Sequence, residues 1–327
     1  ARPRMAAEAA AGPAGPGGGK WGGAAITRKG ARAEALDEGV LGACVAQLAA
    51  AWGARGPGGL VLVHGAGCFG HWQAKEARVH EGWQGAGRLG FARTRAAVTR
   101  LNSLVVSRLV AAGVPAVGLP AFPSCTTSGP GRLAGSAAAP VGAAAAALGA
   151  GLLPVLHGDA VLDERQGCAI LSGDLLVREL ALGLGARHAV FLTNVPGLFD
   201  RPPADSRAET IREVVVGGPG GGWAWRGADG RLREGAEARM AAGAAPDDVT
   251  GGVAAKVREA AGAAEGGVPV LIAQAGSPAG EQAVLHGTAA LRDGGWAGTL
   301  IVHWTDPRTR SILDSADDTA PRAQHRQ

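Results

Sequence analysis

Residues 61–71 read VLVHGAGCFGH, an apolar run that passes directly into a glycine-rich turn ending at His71. The run is continuous, not alternating, as expected for a strand buried on both faces of a parallel sheet. Gly65, Ala66, Gly67 and Gly70 keep side chains away from whatever approaches the backbone. A helix starting at Trp72 would aim the positive end of its dipole at an anion. His71, at that entrance, could hydrogen-bond a phosphate oxygen and change charge near neutral pH. A zinc reading of His64, Cys68 and His71 lacks a fourth ligand and the paired spacing zinc favours.

Further strands follow the same pattern outward from this stretch: Leu60–Val63 itself, Val114–Leu119, Leu152–Leu156, Ala169–Leu171, Ala189–Thr193, Val268–Ile272 and Thr299–Val302. Helical patterns lie between them at Glu34–Trp52, Thr94–Ala112, Ala137–Leu148 and Val253–Ala264. This repetition predicts an α/β fold, an open αβα sandwich with a mainly parallel sheet. The first strand is the weakest, because Gly17-Gly18-Gly19 stands where an apolar run belongs. The expected organisation is a disordered arm over residues 1–18, a domain over 19–306 and a polar tail over 307–327. Residues 217–246, GGPGGGW followed by an Arg, Glu and Ala mixture, are expected to form a mobile, low-complexity surface insertion.

Lysine usage adds a chemical signal. The 327 residues hold four lysines against twenty-eight arginines, and Lys20, Lys29, Lys75 and Lys256 all lie in or beside glycine-rich stretches. An ammonium is a compact, rotatable charge suited to phosphate, and glycine turns let backbone N–H groups approach phosphate oxygens. Two Gly-Asp pairs, at Asp159 and Asp174, fall at strand ends, where ligands collect in open parallel sheets. Such an Asp could hold lysines in place, help a water-coordinated Mg²⁺, or simply cap a turn.

Composition excludes several classes. Glycine makes up 55 residues without a Gly-X-Y period, so collagen is ruled out. The net charge of +4 is small and the arginines are scattered among acids, without the basic stripe and aromatic platforms of a nucleic-acid binder. No apolar run approaches the ~20 residues of a spanning helix. Cys44, Cys68, Cys125 and Cys168 are widely spaced and suggest a reducing compartment. The opening ARPRMAAEAAAGPAGPGGG lacks an h-region and Ser enrichment; a cytoplasmic location is expected, with organellar targeting left open.

Taken together, KWGGAAITRK, HGAGCFGH, GDAVLDERQGCAILSGD, TNVPGLFD and DVTGGVAAK resemble the ordered motifs of the amino acid kinase superfamily, and within it the isopentenyl phosphate kinases. That group's pattern runs Lys-x-Gly-Gly-Ser with a further Lys, HGxGSFGH, GDxxxD with SGD, a TDVxGxYD-like segment and DVTGGMxxK; order and spacing hold over Lys20 to Val302. The resemblance implies ATP-dependent phosphorylation of isopentenyl phosphate, with ATP and Mg²⁺, in a homodimer that binds neither nucleic acid nor membrane. It assigns Lys29 to the transferring phosphoryl group, Lys20 to bridging the phosphates and Asp174 to orienting the lysines. Ala66, His71 and Gly173 would contact the acceptor phosphate. Gly22, Gly23, Ala24 and Gly67 would line the ATP phosphates, with Asn194, Gly252 and Lys256 completing the nucleotide site. Trp83, Leu89, Phe91 and Val98 are candidates for an isoprenoid pocket. Departures from the pattern are Ala24 and Cys68 in place of Ser, and Asn194 in place of Asp. Other readings are a kinase acting on a phosphonate, carboxylate or UMP, and a nucleotide-binding regulator without turnover.

Overall fold

A computed structural model describes residues 15–28, 30–31, 34–129, 131–135, 137–201, 205–218, 222–227, 229–234, 252–291 and 295–307. Lys29, most of the arm, residues 308–327 of the tail, residues 219–221, 228 and 235–246 of the insertion and the 248–251 part of DVTGG lie outside these residues.

The sheet is built on β1 (Gly17–Trp21), β2 (Leu60–His64), β3 (Ala116–Gly118), β5 (Leu153–His157), β8 (His188–Thr193) and β14 (Val270–Gln274). These six run parallel in the order β14-β8-β1-β2-β5-β3. Beyond β14 come β15 (Thr299–His303), antiparallel to it, then β11 (Glu213–Val216), and then the antiparallel β12 (Ala224–Arg226) and β13 (Leu232–Glu234). A small sheet of β4 (Thr126–Thr127), β6 (Asp159–Asp163) and β7 (Gly167–Leu171) sits at one end, and β9 (Leu198–Phe199) pairs with β10 (Thr210–Ile211).

Along β2 the side chains alternate between two cores. Val61 and Val63 join one with Leu176, Leu180 and Phe191, while Leu60 and Leu62 join the other with Leu41, Leu48 and Leu101. Helices cover both faces: α1 (Gly23–Ile26), α2 (Glu38–Arg55), α3 (Gly67–Glu76), α4 (Trp83–Ala111), α5 (Ala138–Gly149), α6 (Gly173–Gly183), α7 (Gly252–Glu265) and α8 (Pro278–His286). Asp37 starts α2 by accepting the Val40 N–H at 3.0 Å, later than the expected Glu34. The α4 helix begins eleven residues before the expected Thr94, with non-helical backbone at Gly87 (φ 56°). Among the described residues, no helix is long and apolar enough to cross a membrane.

The weak first strand does form: β2 and β8 supply ladder partners on both sides of the glycine run, pairing Gly17 with Leu60 and His188. Two expectations need correction. That strand starts at Gly17, so the boundary drawn at 18/19 falls inside the sheet. Part of the 217–246 stretch is also sheet, since β12 and β13 extend the edge from β11, with Trp225 buried.

Candidate active site

Three glycine turns meet at the carboxyl ends of neighbouring strands. The Gly22 N–H donates to Leu192 O at 2.7 Å, Gly65 N–H to Trp21 O at 2.9 Å, and Gly158 N–H to His64 O at 3.1 Å. Each turn thus prolongs the ladder by one bond before leaving the sheet, which sets the turns side by side. Gly23 and Gly65 pack backbone to backbone: a Cβ on Gly65 would lie 2.6 Å from Gly23 N, and one on Gly23 would overlap Gly67 N. No side chain fits between them.

The turn after β2 differs from the sequence reading. The α3 helix starts at Gly67, not Trp72, and so encloses both Cys68 and His71. A distant side chain caps it: Thr27 Oγ1 accepts the Cys68 N–H at 3.1 Å while donating to Gly23 O at 2.8 Å. This one hydroxyl ties the Lys20 turn to the His71 helix. The Cys68 thiol lies against the backbone of Ala35, donating to its carbonyl at 3.3 Å, so it is not a cleft-facing replacement for Ser.

These turns wall a cleft of about 170 Å³. Lys20, Gly22, Gly23 and Ala24 line it from the first turn, and Ala66 and His71 from the second. Gly173 and Asp174 enter from the start of α6, Asn194 follows β8, and Lys256 reaches in from α7. Gly67 is not on the wall; a Cβ there would run into Thr27 and Gly23. Gly252 heads α7 one turn before Lys256. Of the four isoprenoid-pocket candidates only Val98 lines the cleft. Trp83 and Phe91 pack edge-on at 5.2 Å, Phe91 meets Phe122 at 5.7 Å, and Leu89 is 63% exposed.

Asp174 is the electrostatic centre. Its Oδ1 accepts from both Lys20 Nζ and, at 3.1 Å, Lys256 Nζ. Ser172, capping α6, holds the Asp174 N–H at 3.1 Å. Burial would raise the Asp174 pKa, but the two ammonium groups outweigh it and hold the carboxyl at about 2. Burial lowers Lys20 to about 7 against the pull of Asp174, and the nearby Lys256 adds to the drop. Both ammonium groups also lie over the buried Phe191 ring, at 5.5 and 5.8 Å from its centroid. The cleft therefore holds a cation pair on a single carboxylate, an arrangement suited to receiving added negative charge.

Sequence reasoning missed Phe191, Ser172, Thr94 and Arg95. Thr94 lines the cleft. Arg95 Nε donates to both oxygens of the buried Asp159, at 3.1 and 3.2 Å, with its guanidinium 4.4 Å from the Phe122 centroid. Asp159 is thus neutralised at the cleft wall. Ser172 was legible as a Ser two residues before an acid at a helix start; nothing local marks Phe191 or Arg95.

The residues fit a metal carried on nucleotide phosphates better than one in a protein cage. Among the described residues no three His, Cys, Asp or Glu side chains form a metal-binding group. His64 is buried and held neutral, its pKa lowered to about 3 by burial and by His157. Its Nδ1–H donates to Gly65 O at 3.0 Å, and Nε2 accepts from Asn102 Nδ2 at 3.1 Å. Mg²⁺ commonly keeps several waters and takes one or two carboxylates beside the phosphates; Asp174 is the carboxylate available here.

The profile of the amino acid kinase family matches residues 20–274. The chain belongs to that family. Isopentenyl phosphate kinase of Arabidopsis thaliana is 40% identical to this chain over 248 residues, 74% of this chain and 72% of the relative. Isopentenyl phosphate kinase of Methanothermobacter thermautotrophicus is 33% identical over 276 residues, 82% of this chain and 94% of the relative. An X-ray structure of isopentenyl phosphate kinase superposes with a TM-score of 0.67 at 28% identity, covering 88% of this chain and 99% of that one.

Proposed function

We propose that this member of the amino acid kinase family transfers the γ-phosphoryl group of ATP to isopentenyl phosphate, giving isopentenyl diphosphate and ADP. The observation that carries the reading is the Lys20–Asp174–Lys256 cluster in a cleft walled by three glycine turns. An acceptor that is already a phosphate monoester has an ionised oxygen ready to attack, so the site needs no strong base. Catalysis then rests on holding two anions in line and offsetting their repulsion. The attacking oxygen forms a bond to the γ-phosphorus as the β–γ bridging bond breaks and its electron pair leaves with ADP.

In this assignment Lys20 spans the phosphates, and Asp174 keeps it and Lys256 aimed into the cleft. His71 and the Ala66 and Gly173 backbone receive the acceptor phosphate. Gly22, Gly23, Ala24, Asn194 and Lys256 receive ATP. Lys29 is assigned to the transferring group by the family resemblance alone. Mg²⁺ bound with ATP would supply further charge neutralisation on the phosphates. A homodimer and a cytoplasmic location belong to the same reading; the four cysteines, all free and buried, are consistent with a reducing compartment.

The test is ADP release with ATP, Mg²⁺ and isopentenyl phosphate, with fosfomycin and UMP as parallel acceptors. Turnover with isopentenyl phosphate alone is expected. Turnover only with another acceptor would keep the kinase chemistry and discard the isoprenoid substrate.

A further inference from the structure

The α6 and α7 helices carry the two partners of the cleft, Asp174 and Lys256, and their contact continues below the site as a ladder. On α6 the contacting residues are Asp174, Arg178 and Leu182, spaced by four. On α7 they are Lys256, Glu259 and Gly262, with Gly266 just past its end. Lys256 Nζ meets Asp174 Oδ1 at 3.1 Å, and one turn on Arg178 Nη1 meets Glu259 Oε2 at 2.6 Å. The Arg178 stem crosses Gly262, where an added Cβ would lie 2.9 Å from Arg178 Cδ; an added Cβ on Gly266 would overlap Leu182. The rest of the guanidinium donates to Glu179 Oε1, at 3.1 and 2.7 Å, which fixes its plane.

Residue numbers rise together on the two helices, so they run parallel here. Sliding α7 by one turn in either direction would bring Glu259 to Asp174 or Lys256 to Arg178, like charge against like. Only the observed register pairs opposite charges at both rungs. Apolar packing alone defines that register weakly, because the buried face of α7 is mostly alanine: Ala260, Ala261, Ala263 and Ala264, with Val257. Small, similar knobs interdigitate almost equally well after a shift, whereas buried charges set register.

We propose that Arg178 and Glu259 are positioning residues that lock the register of α7 on α6 and so place Lys256 at the nucleotide phosphates. The proposal rests on the nucleotide role given to Lys256 above. Neither residue touches the cleft, so the effect is transmitted through helix placement.

The test compares Glu259→Gln, Arg178→Met and the double variant Arg178→Met/Glu259→Leu. The readouts are calorimetric affinity for a non-hydrolysable ATP analogue, KM for ATP and for isopentenyl phosphate, and Tm. Arg178→Met strands the buried Glu259 carboxylate and should lose Tm, whereas Glu259→Gln leaves Arg178 its Glu179 partner and should lose less; removing both should restore the Arg178→Met loss, since buried pairs contribute little net stability. Affinity for the analogue and KM for ATP should worsen about tenfold in all three, a coupling of ordinary size, with the acceptor KM within about twofold in each. Nucleotide affinity that recovers along with Tm in the double variant would overturn the proposal. So would unchanged affinity in Glu259→Gln, or equal losses for both substrates. Wild-type protein that binds the analogue but ignores isopentenyl phosphate would sink the substrate assignment, while the affinity comparison would still decide the register lock.

Discussion

Binding of a triphosphate is expected to draw protons from solution, through Lys20. In the ligand-free protein burial sets this amine at about 7 in place of 10.5. At pH 8 about one-tenth of it is then protonated, at pH 7 about half, and at pH 6 about nine-tenths. Polyphosphate oxygens at contact distance favour the charged amine by about two to three pKa units, which would leave it almost fully protonated when bound. Uptake should therefore be about 0.8 proton per site at pH 8, about 0.5 at pH 7 and about 0.1 at pH 6. Asp174, held at about 2, stays ionised throughout and adds nothing. The assay is calorimetric titration of an ATP analogue in two buffers of different ionisation enthalpy, with Lys20→Met as control. The analogue's own titration appears equally in Lys20→Met, so the difference between the two proteins belongs to Lys20. Uptake below about 0.1 at pH 8, or equal uptake in Lys20→Met, would refute the placement of phosphate on Lys20. Between pH 7 and 10.5 the unfolded chain binds more protons at this lysine than the folded one does, so ligand-free stability contributed by this group rises with pH across that window. A thermal scan from pH 7 to 9 reads it.

Asp174→Asn takes the shared carboxylate from Lys20 and Lys256, so the buried amines must shed a proton or repel each other; it should cost about 3 kcal/mol of stability and about a hundredfold or more in kcat/KM. Activity within a few-fold of wild type would show that the lysines hold their places without it. Gly23→Ala forces a Cβ onto Gly67 N, and the two turns must part. A loss of about 2 kcal/mol with a collapse of turnover is expected, measured by denaturant unfolding and ADP release. Asp163, away from the cleft wall, accepts from Thr127 Oγ1 at 2.7 Å and from the Gly129, Arg165 and Gln166 N–H groups at 2.8 to 2.9 Å. Asp163→Ala should lower stability by about 2 kcal/mol while both KM values hold, and a selective KM change would give this turn a role in the site.

Several parts of the site were legible because their cause is local. Continuous apolar runs such as Leu60–Val63 mark buried strands from their own composition. Glycine turns and rare lysines mark phosphate chemistry because backbone access and a mobile ammonium are properties of single residues. Ser172 before Gly173-Asp174 announces a capped helix. The misread elements depend on remote partners. The α3 helix begins at Gly67 because Thr27, forty-one residues earlier, caps Cys68. Gly17-Gly18-Gly19 read only as the weakest strand, because nothing within it favours one, yet β2 and β8 pair it on both sides. Leu89 and Val98 read alike as candidates on one helical stretch, and only packing exposes the first and turns the second into the cleft.

By itself the sequence determined the α/β class, the strand-then-glycine-turn grammar and the set of chemical groups available for phosphate, since each follows from short-range propensity and side-chain chemistry. Tertiary structure alone decided that Lys20 and Lys256, 236 positions apart, share one carboxylate over Phe191. It also decided that Arg95 neutralises Asp159 and that Cys68 turns from the cleft to Ala35. The reason is physical: a buried charge is tolerable only when an opposite charge arrives from another element, and that arrival is set by helix and strand packing, not by neighbours in the chain.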